Sequence, residues 1–257
     1  MQSHNPVLGR AFSSPTATYA PAPSAQELEQ MYQSPPAVQR GAMTYDDVVA
    51  KGGMMFAVLA VGAVVGWQVP GLTLVGLIGG LVLAMVNIFK KEPSPPLMLA
   101  YAALQGLFVG GISVTIASFV GDTNIVSQAV IGTLGVFGVS LWLYKSGRVR
   151  VTPKFQRTLM MAMGGYLVFV LVNFGYMMFS DSTAMFGFRS GTLGIVIGLF
   201  AIALAAFVLM LDFDFIDKGV QSGIPAKYAW TAAFGLTVTM VWLYIEILRL
   251  LAILQGE

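Results

Sequence analysis

Three carboxylates stand within the eight residues LDFDFIDK, 211–218, at the end of a long apolar run: Asp212, Asp214 and Asp217. Acids at the edge of a membrane span either solvate its end or belong to a functional site. On a helix Asp214 and Asp217 share a face, whereas Asp212 points about 200° away from Asp214. We take Asp212 and Asp214 as inward candidates and Asp217 as solvated. A fourth acid, Glu246 in WLYIEILRLL, lies far from both ends of its own apolar run. A buried carboxylate finds a cation or takes a proton. Arg249, three residues on, shares its face, so Glu246 is either half of an ion pair or a proton- or cation-responsive group. Gln105, mid-run in AYAALQGLFVGGIS, neighbours glycines that let a backbone or a solute approach.

Other chemistry is excluded early. The chain has no cysteine and one histidine, His4, which rules out thiol chemistry, disulfides and a histidine-based zinc centre. No nucleophile–base pair, phosphate-cradling glycine loop or metal-ligand spacing occurs, so neither an enzyme nor a bound cofactor is expected. A net charge of +2 with dispersed basic residues gives no footprint for nucleic acid.

These candidates must be positioned by membrane spans. Of 257 residues 56% are hydrophobic and 10% charged, against about 25% charged in a soluble domain. Residues 1–44, rich in Pro, Ser, Ala and Gln, lack the pattern of a secretory signal and are expected to form a disordered tail, with a short helix over 25–32 as the one exception. Thr44 is the expected N-cap of a first span with an acidic first turn, Asp46 and Asp47, ending near Val69. Further apolar runs cover 71–89, 97–120, 125–144, 158–179, 191–211 and 228–254. Each approaches or exceeds the roughly 20 residues a helix needs to cross hydrocarbon. Lipid offers backbone groups no partner, so all seven must be helical, and residues 45–257 form one seven-helix membrane domain. Gly106, Gly110 and Gly111 mark a place of close helix approach. Asn87, Gln128 and Asn173 are read as interhelical hydrogen-bonding groups.

Charge sets the expected orientation. With the N-terminus inside, the tail and the loops after spans two, four and six hold 12 of the 14 Lys and Arg residues, leaving only Arg189 and Arg249 outside. The positive-inside rule therefore places the N-terminus and the acidic motif at the cytoplasmic face. The basic loop KSGRVRVTPKFQR, 145–157, follows span four and can attract anionic headgroups.

Seven spans, an acidic motif closing the sixth and LYIEILRLL in the seventh resemble a bacterial member of the Bax inhibitor family, the YccA-like branch of the transmembrane BAX inhibitor motif proteins. The resemblance runs from about Met43 to Leu254 and includes MTYDDVV, AYAALQGLFVGGIS and LYKSGRVRVT. It implies a bacterial inner membrane protein in which six helices surround the last. It also implies a pH-sensitive calcium leak, with an acid on the sixth span and one on the seventh sharing protons and latching the cytoplasmic side. Matched on LYIEIL, Glu246 is the seventh-span acid, and Asp212 or Asp214 the sixth-span acid. The same three are the candidates for transient contact with permeant calcium, with Asp217, Gln105 and Arg249 secondary. Two carboxylates held together cannot both ionise easily, and calcium prefers oxygen ligands. The sequence departs from the family pattern in having Glu rather than Asp at 246 and Gln rather than Glu at 105. A second reading is a non-conducting regulator that binds another membrane protein, such as a membrane protease, through the tail and the basic loop.

Spacing bears on the acid pair. Asp212 and Glu246 are 34 positions apart, and a hairpin turning near Ser222 would set them roughly 20 Å out of register. Either the seventh helix breaks near Gly235, or these acids are not partners.

Overall fold

Among the described residues, seven α-helices lie between Tyr45 and Gly256. The computed structural model describes Ser24 and residues 41–179 and 186–256. His4 and the expected helix over 25–32 fall outside the described residues. The helices are α1 (Tyr45–Gln68), α2 (Thr73–Phe89), α3 (Pro95–Val120), α4 (Asn124–Lys145), α5 (Pro153–Phe179), α6 (Gly191–Gln221) and α7 (Ala229–Gly256). Each lies in a stretch long and apolar enough to cross a membrane. Among the described residues there is no strand beyond one isolated bridge, between Ala42 and Pro225.

Helix starts follow local chemistry. Thr44 caps α1 through a reciprocal box: its hydroxyl accepts from Asp47 N–H at 3.1 Å, and the Asp47 carboxylate accepts from Thr44 N–H at 3.2 Å. Each bond satisfies a backbone donor that the first turn would leave orphaned. The QVPG turn becomes a single 3-10 turn, Pro70–Leu72, that leads directly into α2. Gly121, at φ +78°, ends α3 in the left-handed conformation that glycine adopts without strain.

Two boundaries differ from the hydropathy reading. α5 begins at Pro153, five residues before the apolar run, because proline suits the first helical turn and Lys154 and Arg157 can extend into water. α6 continues ten residues past Leu211. Lys218 bonds Asp214 and Gln221 bonds Asp217 across single turns, and Ser222 Oγ caps the end by donating to Lys218 O. Hydropathy marks where lipid ends, whereas hydrogen bonding decides where a helix ends.

α7 is the most buried helix, and α1, α3, α4 and α6 pack directly on it. α5 reaches it through Tyr166, whose ring lies 5.7 Å from that of Trp242, and α2 packs mainly on α3. α7 is continuous from Ala229 to Gly256, so the helix has no break at Gly235. α1 and α3 approach closely. A Cβ on Gly106 would strike Leu59 O, and one on Gly110 would strike Ala63 O, so only hydrogen fits between these backbones.

Candidate functional site

Glu246 lies on the buried face of α7 at 3% exposure and forms the centre of a charged cluster. Arg249, one turn on, donates through Nη2 to Glu246 Oε2 at 2.6 Å and through Nε at 3.3 Å. Arg189, in the single 3-10 turn before α6, donates through Nη2 to both carboxylate oxygens at 2.5 and 2.6 Å. Tyr166 of α5 donates its hydroxyl to Glu246 Oε1 at 2.6 Å and accepts from Arg189 at 2.6 Å.

Small residues and a polar anchor make room for this cluster. A Cβ on Gly198 of α6 would lie 3.3 Å from Arg249 Nη2. Arg249 also reaches past α6 to the backbone, donating to Arg189 O at 3.2 Å and Gly194 O at 3.4 Å. Asn173 holds the segment that carries Arg189: its amide donates to Phe186 O at 3.2 Å and its oxygen accepts from Phe188 N–H at 2.8 Å. The Glu246–Arg249 alternative is therefore the contact observed, with a second arginine added. Charge counting carried the signal for Arg189, because Arg189 and Arg249 are the two cations set apart from all the others.

The acidic motif does not join this cluster. Asp212 accepts from Thr239 of α7 at 2.7 Å, while Gly235 leaves the carboxylate room on the preceding turn. Thr239 precedes Glu246 by two helical turns, about 10 Å of rise. Among the described residues no cation pairs with Asp212. Asp214 pairs with Lys218 at 2.5 Å on its own helix. Asp217 does more than meet solvent: it accepts from Tyr45 of α1 at 2.5 Å, from Gln221 at 2.9 Å and from Tyr144 of α4 at 3.3 Å. Asp217 thus joins three helices at the acidic end, beside a backbone strap in which Met43 N–H donates to Ile224 O and Ala226 N–H to Gly41 O.

The proposed acids Asp212, Asp214 and Glu246 accordingly occupy three separate environments. Among the described residues no three acidic or histidine side chains gather around a position for one metal ion. Gln105 sits at the α2–α3 contact, its oxygen buried against Gly80 with no hydrogen-bond partner among the described residues. Of the other polar residues, Gln128 makes the expected interhelical bond, to Gln255 at 2.8 Å, whereas Asn87 donates to Leu83 O of its own helix at 2.8 Å.

What the arrangement can do follows from pairing. Glu246 is neutralised by two guanidiniums, so a cation could reach it only by displacing them. Asp212 has one neutral donor, so of the four candidate acids it is the one whose charge can change with least loss of partners. In a comparison with protein families, the model described as Bax inhibitor 1 like matches residues 5–256, and no curated protein matches the chain.

Proposed function

The chain belongs to the Bax inhibitor 1-like family, and from that premise we propose that it is a pH-responsive, calcium-permeable leak in a bacterial inner membrane, with its N-terminus in the cytoplasm. The observation that carries this reading is the Asp212–Thr239 bond, which joins α6 to α7 without a cation. A hydrogen bond to an ionised carboxylate is roughly twice as strong as a neutral one. Protonating Asp212 weakens this clasp and frees α6 to move against α7, so acid opens the path. Asp214 and Asp217 offer oxygen at the same end of the bundle, as calcium prefers. Glu246, held by Arg189 and Arg249, is the fixed point against which α6 moves.

Calcium flux into proteoliposomes tests the proposal. Flux through the wild-type protein should rise as the pH falls, and Asp212→Asn, permanently uncharged, should give high flux at every pH. Wild-type flux no greater than in protein-free liposomes, or an Asp212→Asn variant with the wild-type pH profile, would overturn it.

A further inference from the structure

α1 and α4 both pack on α7 but hardly touch one another. The glycine contact with α3 draws α1 aside, and the space left between α1 and α4 is a crevice of 630 Å³ floored by α3 and α7. It lies within the membrane-crossing lengths of all four helices. On α1 it runs from Phe56 to Gln68, about 18 Å of helix rise. A trough of that length suits an extended, flexible guest.

Chemistry narrows the occupant further. No charged residue lines the crevice. Its three hydroxyls have no proton to offer a guest. Ser113 donates to Val109 O at 2.6 Å and Thr133 to Ala129 O at 2.7 Å. With the Ser113 proton committed, the 2.7 Å contact between Ser113 and Tyr244 requires that Tyr244 donate. A guest bound by polar groups would find no donor along the floor and, on the walls, only the Trp67 indole N–H and the Gln68 amide toward one end; hydrocarbon needs none. The amide of Gln68 stands exposed at one end, where α1 leaves its span. Val64, Val130 and Leu134 are exposed along the crevice, which opens sideways toward acyl chains.

We propose that the crevice between α1 and α4 binds one hydrocarbon chain of a bilayer lipid, with the headgroup at the Gln68 end. The chain fills space that packed helices would otherwise leave empty, and it supplies the dispersion attraction that side chains facing a void go without. Its occupancy differs from ordinary lipid contact in being stoichiometric and slow to exchange.

Native mass spectrometry of the full chain, extracted in mild detergent after incubation with phosphatidylglycerol vesicles, tests this. One lipid should remain bound to each chain. Ala60→Phe/Val130→Phe, which fills the crevice from its two walls, should retain at least about tenfold less. Trp67 lines the crevice and allows a second measurement that leaves the crevice unfilled. In vesicles with brominated acyl chains, quenching of a chain whose only tryptophan is Trp67 should rise in proportion to the brominated fraction, as one bound chain dictates, whereas a chain whose only tryptophan is the exposed Trp142, which meets several acyl chains, should be quenched at a lower fraction. The proposal is overturned if no lipid is retained, if filling leaves retention unchanged in a folded variant, if the two quenching curves coincide, or if a second copy of the chain is found in the crevice.

Discussion

Arg189 and Arg249 share one carboxylate: Arg189 contacts both oxygens of Glu246, at 2.5 and 2.6 Å, and Arg249 contacts Oε2 at 2.6 Å. One arginine comes from the turn before α6 and the other from α7, so the cluster pins the start of α6 to the middle of α7. This pairing occupies the carboxylate that an acid–acid latch would need, and it does so about 10 Å of helix rise away from the Asp212 contact. The two ends of α6 are therefore tied to α7 by different chemistry, an ionic lock near Gly194 and a single hydroxyl bond at Asp212.

Removing the central charge should be severe. Glu246→Gln leaves two buried guanidiniums without a counter-charge, and breaking a buried ion pair costs about 3–5 kcal/mol. In detergent the melting temperature should fall by on the order of 10 °C. Arg249→Met should cost less, because Glu246 keeps Arg189 and Tyr166. Equal losses for the two variants would show that Glu246 is not shared.

Thr239→Val separates the clasp from the charge. It removes the donor to Asp212 while leaving the acid able to titrate, at a cost of about 1–3 kcal/mol for an unsatisfied buried group. Calcium flux should rise and lose most of its pH dependence, as for Asp212→Asn, because no bond is left for protonation to weaken. A wild-type pH profile retained in Thr239→Val would place the pH response elsewhere.

The legibility of these features in the sequence follows from the range of the forces involved. Spans were readable because lipid requires roughly 20 apolar residues in a row, and the Thr44 cap because its bonds reach only three residues. Residue counting from the turn is equally local: it sets Asp212 and Glu246 out of register unless α7 breaks, and the continuous α7 keeps them apart. The Arg189–Glu246 pairing is not legible, since 57 positions separate the two and no periodicity connects a loop to a helix. Nor does hydropathy show the extension of α6 to Gln221, where the polar i,i+4 bonds of Asp214 and Asp217 stabilise helix beyond the apolar run.

Tyr45 and Tyr144 should act together through Asp217. Each hydroxyl removed by Phe substitution loses one hydrogen bond to a carboxylate near the surface, worth about 0.5–1.5 kcal/mol where water can replace it. Because the residues share that carboxylate, the double variant should differ from the sum of the singles. Amide hydrogen exchange should rise at the start of α1 and the end of α4 in Tyr45→Phe/Tyr144→Phe, while α7 stays protected. Unchanged exchange at both helix ends would mean that Asp217 contributes no tie there.

The α1–α3 contact supplies a prediction that distinguishes packing from chemistry. Gly106 lies with its Cα against the backbone of Leu59, Gly62 and Ala63, and an added methyl would overlap Leu59 O. Neither helix can yield alone, because Gly110 meets Ala63 in the same way one turn later. Gly106→Ala must therefore push the helices apart, opening a gap along a contact that holds by dispersion alone. Overpacking of this kind costs about 1–3 kcal/mol, and the variant should melt lower while its Glu246 cluster, carried on α5, α6 and α7, remains intact. Separating α1 from α3 also moves α1 toward α4 and narrows the crevice between them. Gly106→Ala should consequently lose bound lipid, whereas Glu246→Gln, at comparable or greater loss of stability, should keep it. Lipid loss that instead tracked melting temperature across both variants would reduce the crevice to a marker of general stability.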